Sequence, residues 1–138
     1  MFMIFGFKRR KHPLPKFPPA IAPMFRQLCE ALPEENIDEY KKEVEAALAA
    51  VREEAANNDR INLPLAEKLA ERCMHLLSIY PELSEDKRAL AIGAIRYFVV
   101  EEDPMSESKF AAGFDDDVKV MNHVLEELGL EDQYIELY

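Results

Sequence analysis

Glycine is scarce in this 138-residue chain, with four residues against nine prolines. That ratio argues against a turn-rich sheet and for long helices with abrupt stops. Alternating Val/Ile/Thr runs are also lacking, so strands have no support in the sequence. Cysteine is limited to Cys29 and Cys73, far apart and without a CxxC or a paired-His spacing. Buried thiols in a reducing, cytoplasmic setting are the expectation. Cys73-Met74-His75 sets a thiol beside an imidazole, but no further donors stand at a metal-binding spacing. The chain has no HExxH, Glu-x-x-His, P-loop or GxSxG pattern. No catalytic residue is assigned, and a non-enzymatic protein is the default expectation.

What is present is enough apolar material for one core: 49% of the residues are hydrophobic. A chain of this length fits a single domain that buries roughly two thirds of its unfolded surface. The expected fold is all-α, a compact bundle of five to six helices over residues 20–138, preceded by an arm and Pro-rich linker over residues 1–19.

Charge is divided unevenly along the chain. Residues 1–26 carry six Lys/Arg and no acid, whereas the remainder carries eleven Lys/Arg against twenty-seven Asp/Glu. The acidic body disfavours nucleic acid as a partner, because phosphate binding relies on neutralisation by Lys/Arg. Most of these acids read as solvated helix faces.

Met1–Phe7 is apolar and is followed by Lys8-Arg9-Arg10-Lys11, the reverse of a secretory signal, in which charge precedes the apolar run. A membrane-spanning helix needs about 20 residues, so this run is too short to cross a bilayer. Phe2, Ile4, Phe5 and Phe7 beside Lys8, Arg9, Arg10 and Lys11 suit a protein partner or the anionic surface of a membrane, reached peripherally from the cytoplasm. His12–Pro19 then reads as an extended connector, since repeated proline blocks helix.

Helical periodicity predicts a first helix over Ala20–Leu32, stopped by Pro33, and a second over Glu35–Ala56. A third opens at Asn62 with Pro64 in its first turn and a core stripe of Leu65, Leu69, Cys73, Leu76, Leu77 and Tyr80. Ser84 caps a fourth, and its Leu90–Val100 run, apolar nearly all round, marks the buried centre of the bundle. A fifth, Asp116–Leu128, offers Val120, Met121, Val124, Leu125 and Leu128. Tyr134, Ile135 and Leu137 can add a final turn. Exposed apolar residues on these helices would also permit self-association.

The segment Arg96–Val118, RYFVVEEDPMSESKFAAGFDDDV, concentrates aromatics and acids. Glu101 and Glu102 end the central helix, where negative charge is unfavourable and calls for compensation. Asp103-Pro104 reads as the start of a short helix, and Asp115-Asp116-Asp117 as the cap and first turn of the last long one. Arg96 is the one charge inside the central apolar run, and a buried guanidinium needs a carboxylate. The expectation is a structural lock between Arg96 and Asp103, Asp116 or Asp117. The alternative is a divalent-cation site, Mg²⁺ or Ca²⁺ on Asp103, Asp116 and Asp117, in a binding protein or a hydrolase.

Tyr97, Asp103, Gly113 and Asp116-Asp117 also stand at the separations of a known signature: an apolar helix with a Tyr, a Pro-x-Asp turn, a Pro-Asp step, a Gly, and two aspartates opening another helix. Over about residues 90–128 the chain resembles the YkvA-like domain of unknown function. Glu107 stands where a second aspartate is usual, while Glu101 and Ser106 replace the two prolines of the signature. The resemblance implies a small bacterial helical domain with no established enzymatic activity, often drawn near membranes. The polar run Glu101–Lys109 implies a soluble or peripheral variant here.

Overall fold

The computed structural model describes His12, residues 21–99 and residues 114–136. Within them the chain forms five α-helices: α1 (Ile21–Leu28), α2 (Ile37–Ala55), α3 (Leu63–Ile79), α4 (Glu85–Val99) and α5 (Asp115–Glu127). Short 3₁₀ turns lie at Glu34–Asn36, Tyr80–Glu82 and Glu131–Gln133, and no strand occurs among the described residues. The fold is an all-α bundle. No described helix is long and apolar enough to cross a membrane.

Helix α3 follows its sequence most directly. The Asn62 side chain accepts the Leu65 N–H at 3.1 Å, and Pro64 occupies the first turn, where its missing N–H costs nothing. Leu65, Leu69, Cys73, Leu76, Leu77 and Tyr80 are all buried. Each large apolar side chain enclosed in this way stabilises the fold by roughly 1.5–3 kcal/mol. Pro81 then turns the chain into a 3₁₀ turn.

Helix α4 is the centre of the bundle and packs against α1, α2, α3 and α5. Its residues Ala91 to Ile95 and Phe98 are buried, and Ser84 caps it with a long 3.4 Å bond from the Lys87 N–H. Gly93 marks the closest approach of α1. A Cβ at this position would lie 2.5 Å from Cys29 Sγ and 2.8 Å from Phe25 Cε1. Any larger residue would force the Cys29 and Phe25 side chains to move.

Helix α1 ends at Leu28, four residues before the expected Leu32, and a long-range contact holds the non-helical backbone that follows. The buried Tyr80 hydroxyl donates to the Leu32 carbonyl at 2.6 Å and accepts the Leu32 N–H at 2.9 Å. Both backbone groups that would continue the helix are taken by one side chain. Arg88 supports this corner: Nε donates to the carbonyls of Tyr80 and Leu83 at 3.1 and 3.0 Å. Its Nη2 reaches the Pro81 carbonyl at 2.8 Å and the Glu34 carboxylate at 2.7 Å, and the guanidinium lies 5.0 Å above the Tyr80 ring.

Helix α5 departs from the one-sided helix expected of its sequence. Val120 to Leu125 are buried without interruption, so more than a full turn is enclosed, including the polar Asn122 and His123. The Asn122 amide donates to the Ile135 carbonyl at 2.9 Å and accepts the Ile135 N–H at 2.8 Å. The tail is thereby folded back over the helix, and Ile135 is buried. The turn that permits this is a complete Schellman motif: Gly129 N–H bonds Glu126 O at 3.1 Å and Leu130 N–H bonds Leu125 O at 2.8 Å. Gly129 takes φ 78°, the left-handed region where a side chain is strained.

Candidate functional site

Two polar clusters stand out, one at each end of α5. The first is its amino-terminal turn. Helix α5 starts at Asp115, so the three aspartates occupy the first turn. Negative charge there is favourable by about 0.3–1 kcal/mol each. The capping position belongs to Phe114, with no side-chain hydrogen bond, a correction to the cap expected of the aspartates. Phe114 has φ 73°. A bulky residue in the left-handed region costs about 1–3 kcal/mol. Its burial and its packing at 6.5 Å from Phe98 oppose that strain.

The aspartates differ in environment: Asp115 is exposed, Asp116 intermediate and Asp117 buried. The residue of α4 that faces them is Tyr97. Burial, then the negative charges of Asp117 and Asp116, push the Tyr97 phenol up to about 12. The cluster sets carboxylate oxygens, which can attract a cation, beside a phenol that keeps its proton. Among the described residues no three His, Cys, Asp or Glu side chains converge where they could hold a metal ion. Asp103, the third ligand expected from sequence, lies outside the described residues.

Arg96 is placed elsewhere. Its Nη1 lies 3.5 Å from the Glu30 carboxylate and 3.5 Å from the Leu28 carbonyl, and its side chain is 36% exposed. Its charge also reaches the Tyr40 phenol of α2. The lock expected between a buried Arg96 and the aspartates is therefore not the one this guanidinium makes among the described residues. Successive helical residues diverge by about 100°. Tyr97 takes the α5 side, and Arg96 is turned to the chain between α1 and α2.

The second cluster lies near the carboxyl end of α5. The His12 N–H donates to Glu126 Oε1 at 3.1 Å, and the His12 carbonyl lies 3.0 Å from His123 Nδ1. A carbonyl only accepts, so Nδ1 carries the proton. Positions 123 and 126 are three apart and share a helix face, which lets them bracket one residue. Glu126 Oε2 accepts the Tyr134 hydroxyl at 3.2 Å, and the His12 and Tyr134 rings meet edge-on at 4.2 Å. The His123 ring also stands edge-on to Phe25 at 6.0 Å. The sequence reading did not find this cluster. The only local signal was the His123/Glu126 spacing, which looks like an ordinary solvent face.

The arm residues Phe2, Ile4, Phe5, Phe7, Lys8, Arg9, Arg10 and Lys11 lie outside the described residues, as do Glu101, Glu102 and Gly113. Cys73 is buried in the α3 stripe. Burial pushes the Cys29 thiol up to about 11, which keeps it protonated and poorly reactive at neutral pH.

No protein-family model, no curated protein and no solved structure matches the chain.

Proposed function

We propose that the chain is a helical interaction module without chemistry of its own, whose basic and apolar arm, Phe2 to Lys11, makes peripheral contact with an anionic membrane surface on the cytoplasmic side. The observation that carries this reading is the fixing of His12 to α5 by Glu126, His123 and Tyr134. The basic cluster Lys8–Lys11 ends one residue before a point held on an acidic body. Among the described residues Met24 is the exposed large hydrophobic side chain, which leaves little apolar surface there for a partner and directs attention to the arm. The resemblance to the YkvA-like domain belongs to the same proposal, since it implies a bacterial helical domain without established enzymatic activity.

The test is cosedimentation of the full chain with vesicles of phosphatidylcholine alone or with phosphatidylserine added. Binding should need the anionic lipid, weaken with salt, and fall at least tenfold in the Lys8→Gln/Arg9→Gln/Arg10→Gln/Lys11→Gln variant, since each basic residue near such a surface contributes about 1 kcal/mol. Equal sedimentation with both vesicle types would overturn the membrane contact and return the arm to a protein partner.

A second reading draws on the two carboxylate charges that meet at Tyr97: a divalent-cation protein using Asp116 and Asp117 with Asp103. Saturable heat on Mg²⁺ or Ca²⁺ titration that disappears in folded Asp116→Asn/Asp117→Asn would favour it over the first.

A further inference from the structure

We infer that α5 carries a latch in which Glu126, aided by His123, fastens the amino-terminal segment at His12 and the carboxyl-terminal tail at Tyr134, so that the two ends of the chain loosen together. His12 precedes Pro13, and a residue before proline is steered away from helix, so its N–H and C=O have no helical partners to find. Both are met by side chains of one helix face, Glu126 at 3.1 Å and His123 at 3.0 Å. The contact joins residues 114 apart in sequence, so nothing local to the arm imposes it.

What makes it a latch rather than two separate contacts is the division of one carboxylate. Oε1 takes the His12 N–H and Oε2 the Tyr134 O–H. Hydrogen bonds to an ionised acceptor are roughly twice as strong as neutral ones. The two captured residues also touch each other, ring against ring at 4.2 Å, which closes a triangle of His12, Tyr134 and Glu126. Neighbouring tail residues are held separately, Ile135 by Asn122 and Gln133 by Arg72. Opening the latch therefore breaks the Glu126 bonds to His12 and Tyr134 together, while Ile135 and Gln133 keep theirs. An arm engaged elsewhere would be read out at Tyr134, on the opposite end of the chain.

Residue-resolved amide hydrogen exchange on the full chain, without vesicles, tests this independently of what the arm binds. In the wild type the His12 amide should be protected. Glu126→Ala should speed its exchange about tenfold, the scale of one charged hydrogen bond. Tyr134→Ala, which leaves Glu126 in place, should speed it by a smaller but measurable factor through the shared triangle. Amides of α3 between Leu69 and Cys73 should be unchanged in both, which certifies the fold. Glu126→Gln, which keeps a neutral acceptor, should fall between wild type and Glu126→Ala and serves if the alanine variant does not fold. A His12 amide exchanging at the free-peptide rate in the wild type would overturn the latch. So would a response to Glu126→Ala with none to Tyr134→Ala, since the ends would then be fastened separately.

Discussion

Two regions of this bundle hold irregular backbone by the same device and in different settings. At the Tyr80 corner, one hydroxyl takes both the N–H and the C=O of Leu32, and Arg88 gathers the carbonyls that follow α3. On α5, the Asn122 amide takes both groups of Ile135, and the Glu126/His123 pair takes both groups of His12. In each case side chains replace the partner that a helix or strand would have provided. The corner secures a connection with helices on both sides, so its failure disturbs how α1, α2 and α3 meet. The α5 contacts secure chain ends, whose release is a local event. Chemistry follows position: a permanently charged arginine serves the corner, while an amide, an imidazole and a carboxylate serve the ends.

The largest effect should therefore come from the corner. Arg88→Met keeps the aliphatic stem but removes the guanidinium bonds to the carbonyls of Tyr80, Pro81 and Leu83, of which Tyr80 keeps the Leu83 N–H, and leaves Glu34 without its 2.7 Å ion pair. The guanidinium also sits at the carboxyl end of α3, where positive charge is favoured. A loss of about 2–3 kcal/mol in global stability is expected by chemical denaturation, with exchange faster throughout α1 and the start of α2. A loss confined to the 3₁₀ turn Tyr80–Glu82 would show the corner to be as local as the tail.

Asn122→Ala should come second and behave differently. It removes two hydrogen bonds from the enclosed Ile135 backbone, a cost of about 1–2 kcal/mol. Because the tail can lift away and find water, the change should appear mainly as rapid exchange at Ile135. The amides of α1 and α2 should be untouched. A global loss equal to that of Arg88→Met would erase the distinction between ends and corners.

The same contrast explains what could be read from the sequence. The α3 stripe from Leu65 to Tyr80 was legible throughout, because periodicity, an Asn cap and flanking prolines are all local signals. The central place of α4 was legible too, from a run without a polar face. The end of α1 was not, because the hydroxyl that holds the Leu32 backbone comes from 48 residues away. Nothing local marks Asn122 and His123 as buried, for the same reason: the segments that cover them are distant in sequence. Arg96 was misplaced because its position inside an apolar run suggested burial, whereas its head emerges beside Glu30. A long side chain can leave a core helix with its charge still in water. At the acidic turn the residue types were plain, and the partner, Tyr97, lay next to the residue expected.

The smallest effect sharpens the comparison at the other end of α5, where charge rather than hydrogen-bonded backbone sets the environment. The Tyr97 phenol is raised from its ordinary value of 10.0 to about 12, by burial first and then by Asp117 and Asp116. The sign follows from which state keeps the proton. Between pH 10 and 12 the unfolded chain has released it while the folded chain still holds it, so ionisation favours unfolding. The contribution of the protonated phenol is complete below pH 10 and is lost as pH rises through about 12. Cys29, raised to about 11 by burial, pulls in the same direction from pH 9 upward, but equally in the wild type and in Tyr97→Phe. The difference in melting temperature between the two proteins isolates Tyr97. Whatever its value at pH 8, it should move in favour of Tyr97→Phe as pH climbs past 10, and Asp117→Asn should reduce that movement. Parallel melting curves up to pH 11.5 would mean that neither burial nor the carboxylates raise the phenol, and a movement that Asp117→Asn leaves intact would assign the shift to burial alone.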